Sequence, residues 1–153
     1  MSELIKSVKN NDIRRVQLFL DHNETNVNVR DNVGNTALYL AAYYNHIEIA
    51  KLLLNHKDVI VNIRNDSDST PLMCAAYYNH LEIVKLLLEQ EDIRVNMQGK
   101  RDMTALMWAA AYGYIEVVRL LLTHKDIKVD LQDEDGRTAF MISDSEELKE
   151  LLA

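Results

Sequence analysis

The stretch AAYYNHIEIAKLLL, which begins at Ala41, returns thirty-four residues later as AAYYNHLEIVKLLL, beginning at Ala75. Four other features keep the same spacing: a threonine, an Ala-Ala pair, a leucine triplet and a Val-Asn or Val-Asp pair. A period of this length predicts a stack of short supersecondary units, because no single unit can bury its apolar face alone. The recurring positions are Thr36, Thr70, Thr104 and Thr138; Ala41-Ala42, Ala75-Ala76 and Ala109-Ala110; Leu52 to Leu54, Leu86 to Leu88 and Leu120 to Leu122; and Val27-Asn28, Val61-Asn62, Val95-Asn96 and Val129-Asp130.

Each unit is predicted to form a helix, a tight turn, a second helix and a loop. Thr36 is a good N-cap, and Pro71 follows Thr70 at a position where a missing N–H costs nothing. We expect the first helix of the unit to run from about Ala37 to Tyr44. The residues expected to end this helix are of the types that tolerate the left-handed conformation. They are Asn45, Asn79 and Gly113.

Composition narrows the class of protein. The chain has 153 residues, 48% of them hydrophobic and 27% charged, which predicts one globular unit with a continuous core. A formal net charge of −7 disfavours binding to the nucleic-acid backbone, and no apolar run reaches the roughly eighteen residues of a membrane span. The single cysteine and the start MSELIKSVKNND, which has no signal-peptide run, lead us to expect a cytoplasmic or nuclear monomer.

The repeated unit resembles the ankyrin repeat. The matching elements, in order, are Asp31-x-x-Gly34-x-Thr36-Ala37-Leu38, Ala41-Ala42, Asn45-His46-Ile47-Glu48, the leucine triplet and Val61-Asn62, and Asp133-x-x-Gly136-x-Thr138-Ala139 reopens the pattern. The resemblance implies an all-α solenoid of stacked helix-turn-helix units with short β-hairpin loops. It implies a single domain, 1–153, composed of an N-terminal cap repeat 1–30, internal repeats 31–64, 65–98 and 99–132, and a truncated C-terminal cap repeat 133–153.

The sequence departs from the family pattern at two places. The histidine that usually follows Thr-Pro-Leu is replaced, so we expect apolar packing, with Met as an adaptable filler, to substitute for its hydrogen bonds. Its replacements are Tyr39, Met73, Met107 and Met141. The turn residues Asp and Gly are also replaced in two units, and we expect those two turns to be less regular. Their replacements are Asn65 with Asp68, and Gly99 with Asp102.

The terminal units are expected to act as caps with one polar face. In the first unit the residues expected to pack inward are Leu4, Ile5, Val8, Ile13, Val16 and Phe19, and those expected to stay solvated are Glu3, Lys6, Arg14, Arg15 and Gln17. In the last unit, Ser145 is expected to cap a final helix. This helix should dock through Leu148, Leu151 and Leu152.

Histidines are the only residues that suggest a metal site. His46 and His80 share one column of the repeat, and His22, His56 and His124 share another. Equivalent atoms of neighbouring units should lie ~8 to 10 Å apart, too far for one metal that binds nitrogen at about 2 Å. We therefore predict turn, cap and packing roles for the histidines, and no metal site.

No arrangement of residues predicts catalysis. Cys74 stands in the column of Leu40, Trp108 and Ile142, so a buried thiol and a core-filling Trp108 are expected. The sequence contains no phosphate-binding glycine loop, zinc signature or nucleophile elbow. We predict no catalytic residue and no cofactor.

The resemblance implies a concave binding face, built from the two residues after each Ala-Ala pair and from the hairpin tips. Tyrosine suits such a face, because it offers a large amphipathic surface with only two side-chain torsions to order. We expect at least one tyrosine of each pair on the surface and the other partly buried. The implied partner-binding residues are Asn32, Val33, Asn35, Tyr43, Tyr44, Asp66, Ser67, Ser69, Tyr77, Tyr78, Lys100, Arg101, Met103, Ala111, Tyr112 and Arg137, with Glu134 and Asp135 at the last tip and Lys9 and Asn10 in the first unit.

The function predicted from these features is a non-catalytic protein–protein interaction module whose partner is a protein of unknown identity, with no nucleic-acid or membrane partner. Three alternatives stay open at this point. The chain could be a regulatory inhibitor that sterically occupies an enzyme such as a kinase, a stable repeat scaffold with no natural partner, or an enzyme with its site in the groove.

Overall fold

The computed structural model describes residues 2–22 and 25–153, and within these residues ten α-helices form five consecutive pairs. The helices are α1 Glu3–Lys9, α2 Ile13–Leu20, α3 Ala37–Tyr44, α4 Ile47–Leu54, α5 Pro71–Tyr77, α6 Leu81–Leu88, α7 Ala105–Ala111, α8 Ile115–Leu122, α9 Ala139–Ile142 and α10 Glu146–Leu152. Residues 1, 23 and 24, which belong to the predicted N-terminal cap, lie outside the described residues. None of the described helices is long and apolar enough to cross a membrane.

The helices form two layers. The first helices of the pairs pack on one another in the order α1, α3, α5, α7 and α9, and the second helices pack in the order α2, α4, α6, α8 and α10. The two helices of each pair also pack together. The predicted all-α stack of helix-turn-helix units is therefore confirmed.

The predicted helix boundaries follow from local chemistry. The hydroxyl of Thr36 accepts a hydrogen bond from the backbone N–H of Tyr39, and the other three repeated threonines cap α5, α7 and α9 in the same way. Pro71 occupies the first position of α5, as expected. At the other end, Asn45, Asn79 and Gly113 have φ angles of 57°, 59° and 73°, the predicted left-handed conformation.

The turns that precede α3, α5, α7 and α9 are shorter than the predicted β-hairpins. In the described part of the chain, their only β pairing is an isolated bridge between Arg30 and Thr36. The Asp31 carboxylate accepts hydrogen bonds from the backbone N–H groups of Val33 and Asn35, at 3.1 and 2.9 Å. Asn65 and Asp133 close their own turns in the same way.

Only one of the two turns predicted to be irregular is so. The second turn is regular, because the Asn65 amide oxygen replaces the carboxylate and Asp68 adopts the left-handed conformation of Gly34. The third turn begins with Gly99, which has no side chain to accept these bonds. It contains a 3₁₀ turn, Lys100–Asp102, in which Arg101 is left-handed as well as Asp102.

The Val-Asn pairs connect each unit to the next through the loops that follow the second helices. The Asn28 amide donates to the carbonyl of Asp58 at 2.7 Å and accepts from the N–H of Ile60 at 2.8 Å. Asn62 and Asn96 bind the next loop in the same way. The position needs an amide, because the side chain must both donate and accept.

The core lies between the two layers. The middle leucines of the three triplets, Leu53, Leu87 and Leu121, are fully buried, as are the Ala-Ala pairs that let the helices approach closely. Ser145 caps α10, and Leu148 and Leu152 dock it as predicted.

Two packing predictions are wrong at single positions. Ile13 was expected to pack inward, but it is 42% exposed because it begins α2 on the outside of the first pair. Met73 and Met107 fill the core in place of the family's histidine, because α5 and α7 each lie between two other first helices. Met141 is 61% exposed, because among the described residues α7 is the only first helix that packs on α9.

Candidate partner-binding face

Six aromatic side chains lie in or directly after α3, α5 and α7, and they form what we call the aromatic face. Four of them, Tyr43, Tyr44, Tyr78 and Tyr112, are between 42% and 49% exposed, whereas Tyr77 and Trp108 are half-buried. The expectation of one exposed and one partly buried tyrosine per pair therefore holds for Tyr77 and Tyr78. It fails for Tyr43, which is exposed like its neighbour.

The aromatic face is continuous across three units. Its rings meet edge to face, one of the arrangements that aromatic pairs favour, except that Trp108 stacks on Tyr112 at 6.4 Å. The centroid distances are 4.9 Å for Tyr43–Tyr44, 5.2 Å for Tyr43–Tyr78, 4.8 Å for Tyr77–Tyr78, 5.0 Å for Tyr77–Tyr112 and 5.1 Å for Tyr77–Trp108. The Tyr112 hydroxyl also donates a hydrogen bond to the Tyr77 hydroxyl at 3.1 Å.

Trp108 is the main member of this face that the sequence prediction misplaced. It was expected to fill the core, because the other residues of its column are aliphatic or a cysteine. In the structure the indole is half-buried and packs beside Tyr77 and Tyr112. The signal that could have found it is size, since an indole is too large for a column that otherwise holds a leucine, an isoleucine and a thiol.

A second row of rings supports the exposed tyrosines. His46 stacks on Tyr44 with a centroid distance of 5.5 Å, and His80 stacks on Tyr78 at 5.9 Å. The Nδ1 atom of His80, the N-cap of α6, also lies 2.7 Å from the Ala42 carbonyl oxygen, a contact that joins the turn between α5 and α6 to α3. Burial lowers the pKa of His46 below its usual value, although a hydrogen bond with the Lys9 backbone opposes this shift.

His56 and His124 take the predicted turn roles. The Nδ1 atoms of His56 and His124 accept hydrogen bonds from the backbone N–H groups of Asp58 and Asp126, both at 3.2 Å. Within residues 2–22 and 25–153, no group of three or more His, Cys, Asp or Glu side chains could hold a metal ion.

The turn tips lie beside the aromatic face and carry the charged side chains that surround it. Asp66 pairs with Arg30 at 3.0 Å, and Arg101 pairs with Glu134 and Asp135. Arg137 pairs with Asp133 at 2.8 Å and with Asp135 at 2.9 Å. Most tip charges are thus already neutralised by a neighbour.

Met103 was predicted to contact a partner, and the structure corrects this prediction. It is only 6% exposed, because its carbonyl accepts the N–H of Gly99 to close the third turn and its side chain joins the core. The remaining predicted residues are at the surface. Asn35, Ser69 and Tyr77 are half-buried, whereas Asn32, Val33, Tyr43, Tyr44, Asp66, Ser67, Tyr78, Lys100, Arg101, Ala111, Tyr112 and Arg137 are exposed.

Two hollows lie at equivalent positions of the aromatic face, one in front of α3 and one in front of α5. The first hollow, of about 430 Å³, is lined by the Lys9–Asp31 ion pair, Asn35, Leu40 and Tyr44 among others. The second hollow, of about 190 Å³, is lined chiefly by Met73, Cys74, Tyr77, Tyr78 and Trp108, with Lys100 at its edge.

Charge and polarity differ between the hollows. Burial opposes the ionisation of Asp31 in the first hollow. Hydrogen bonds from the N–H groups of Asn35 and Val33 and from Lys9 nevertheless hold the pKa of this carboxyl below its usual value. Cys74, on the floor of the second hollow, is 2% exposed as predicted, and burial raises the pKa of its thiol to about 12. This shift keeps the thiol protonated at neutral pH, and a protonated thiol is a poor nucleophile.

Two layers of short paired helices, threonine-capped and joined by tight turns, define a helical repeat protein. A family model described as ankyrin repeats (3 copies) matches residues 4–98 and 91–152. The chain therefore belongs to the ankyrin-repeat family, whose members are generally protein–protein interaction modules. A comparison with curated proteins gives no significant match.

Proposed function

We propose that this protein is a non-catalytic interaction module that binds a partner protein through the aromatic face and the adjoining turn tips. The observation that carries the proposal is the unbroken edge-to-face contact of rings from Tyr44 to Tyr112, with four of the tyrosines more than two-fifths exposed. A contiguous exposed aromatic surface of this kind is typical of an interaction site.

The dimensions of the face suggest how the partner binds. At ~8 to 10 Å per stacked helix, the three units of the aromatic face present a strip roughly 25 to 30 Å long, enough for a short helix or an extended segment. Tyrosines there would serve as anchors, while the paired tip charges would form a polar rim. The partner segment should therefore bring an apolar or aromatic stripe with mixed charge at its edges.

The proposal keeps the monomeric state and the cytoplasmic or nuclear location expected from the sequence. The buried, unpaired thiol of Cys74 supports a reducing compartment.

A cross-linking experiment can test which surface binds. A photoreactive benzoylphenylalanine placed at Tyr44 should cross-link a discrete partner in native extract. The same group at Glu82, an exposed residue of α6 in the other layer, should not. Cross-linking of the same partner from both positions, or from Glu82 alone, would place the binding surface elsewhere.

Substitutions then measure the energetic role of the tyrosines against the purified partner. The triple variant Tyr44→Ala, Tyr78→Ala, Tyr112→Ala should weaken binding at least about thirtyfold, because one tyrosine anchor commonly contributes ~2 kcal/mol or more. The variant Lys100→Ala, Arg101→Ala should weaken binding less than about tenfold, mainly through a slower association rate at low salt.

Folding must be checked in the same samples. Helical circular dichroism and the melting curve of the triple variant should stay close to those of the parent, because these three rings are exposed. Unchanged affinity in a correctly folded triple variant would contradict the proposal.

A further inference from the structure

The second hollow is smaller and more apolar than the first. Its floor is formed by Met73 and Cys74, which are 3% and 2% exposed. Tyr77, Tyr78 and Trp108 form its aromatic walls, and the exposed Lys100 lies at its rim. Tyr39, Ser67 and Ser69 complete the lining. None of these side chains except Lys100 carries a charge at neutral pH, so the interior is suited to an apolar group.

Two departures from the repeat pattern coincide at this hollow. Cys74 takes in α5 the position that Leu40 holds in α3, and a thiol is smaller than an isobutyl group. Gly99 takes the position of Asp31 and Asn65, and a Cβ there would overlap the Asp68 carbonyl oxygen and come within 2.9 Å of the Met73 sulfur. The small residue at position 74 makes room beside Trp108, and the glycine lets the third turn approach Met73.

The size and lining of the hollow fit one aromatic ring. A cavity of about 150 Å³ lined by apolar side chains is known to hold benzene, and this hollow measures about 190 Å³. Ring edges and faces of Tyr77, Tyr78 and Trp108 favour an aromatic guest, and the Met73 sulfur adds a favourable sulfur–aromatic contact.

The charge at the rim favours a carboxylate beside that ring. Arg101, the next residue, is already held by Glu134 and Asp135, and Asp66 and Asp68 are held by Arg30 and Arg64. Among the described residues, neither Lys100 nor Asp102 of the same turn makes an ion pair, so the Lys100 ammonium group is available to a carboxylate of a partner. The net charge of −7 opposes an acidic segment at long range, and the attraction must therefore be local to Lys100.

We propose that the second hollow binds a single aromatic side chain of a partner segment that carries a carboxylate next to it, paired with Lys100. This inference rests on the proposed use of the aromatic face for binding, and it names the chemistry of the partner's anchor residue.

The chain carries its own reporter for a direct test, because Trp108 is its only tryptophan and lines the hollow. N-acetylphenylalanine, which has a ring and a free carboxylate, is titrated into the full chain while the Trp108 fluorescence and its indole N–H NMR signal are followed. We expect a saturable shift. N-acetylphenylalanine amide should bind about two- to fivefold more weakly, the range of one exposed ion pair, and N-acetylalanine should give no shift.

Two variants with a matched control locate the binding. Cys74→Leu should fill the hollow and weaken N-acetylphenylalanine binding at least about tenfold, and Leu40 shows that this column accepts leucine. Leu40→Cys, the reverse change in the first hollow, should leave the titration of Trp108 unchanged. In Lys100→Ala, the acid and its amide should bind equally well.

The outcomes separate this inference from the broader proposal. Absence of a saturable shift in the parent chain, or an equal shift in a folded Cys74→Leu variant, overturns the second hollow as a ring-binding site. If the cross-linked partner loses affinity in the tyrosine triple variant but not in Cys74→Leu, the interaction face stands and the anchor inference fails. If the probe binds as expected but no partner depends on the tyrosines, the proposed function fails instead.

Discussion

The two hollows of the aromatic face share a backbone and differ in chemistry. The first, in front of α3, contains the Lys9–Asp31 ion pair at 3.3 Å and an amide contact of 2.8 Å from Asn65 to Asn35. The second, in front of α5, has Tyr43, Ser69 and Gly99 at the positions of Lys9, Asn35 and Asn65, and an apolar interior. Equivalent helices, caps and turns thus support one polar and one apolar site.

The comparison shows how a repeat protein acquires local specificity. The residues that set the helices and the core recur every thirty-four positions, so the framework repeats. Those that face the hollows vary from unit to unit without disturbing that framework. A few substitutions at equivalent positions are therefore enough to make one unit of the stack different from the next.

The largest expected effect concerns the shared framework. Leu53 and Leu87 are both fully buried at equivalent positions, in the helices α4 and α6 that pack behind α3 and α5. Leu53→Ala and Leu87→Ala should each lower the free energy of unfolding by ~2 to 5 kcal/mol, measured by denaturant titration. The exposed Lys85→Ala on α6 serves as a control and should stay within about 0.5 kcal/mol. A much smaller cost for one leucine would show that the two hollows do not rest on equivalent cores.

A middle-sized effect is expected at Gly99, where the second hollow departs from the first. Gly99→Ala should destabilise the protein by about 1 to 3 kcal/mol, because the added Cβ overlaps the Asp68 carbonyl and crowds Met73. Lys100→Ala, one residue further along the same turn, should change the melting temperature little. If Gly99→Ala melts at the parent temperature, the turn does not need a glycine, and Gly99 does not explain why the second hollow differs from the first.

The smallest effect concerns the imidazole of His46, which stacks on Tyr44 of the first hollow. Because burial lowers the folded-state pKa of His46 below the ordinary histidine pKa of about 6.5, the unfolded chain binds the proton more tightly. The contribution of neutral His46 to stability is therefore present above pH 6.5 and is lost as the pH falls through the lower folded-state pKa. Melting curves between pH 7.5 and 5 should show this decline, with a shallower slope in His46→Gln. Identical slopes in the two proteins would mean that His46 titrates alike in the folded and unfolded chains.

Features set by neighbours along the chain were predictable from the sequence. The α3 boundaries, the four threonine caps, Pro71 at the start of α5 and the left-handed ends at Asn45, Asn79 and Gly113 all follow from interactions within about four residues. The thirty-four-residue period then predicted the stack, because equivalent apolar faces can be buried only against one another.

Features set by contacts between units needed the tertiary structure. Trp108 lies beside Tyr77, thirty-one positions earlier, and Met103 is buried by core packing that its place in the turn does not reveal. The second hollow depends on Cys74 from one unit and Trp108 and Lys100 from the next. The order of residues determined that this protein is a stack of ankyrin repeats. Only the packing of one unit on another decided which rings are exposed and where a cavity opens, because those properties depend on side-chain volumes that meet across the interface between units.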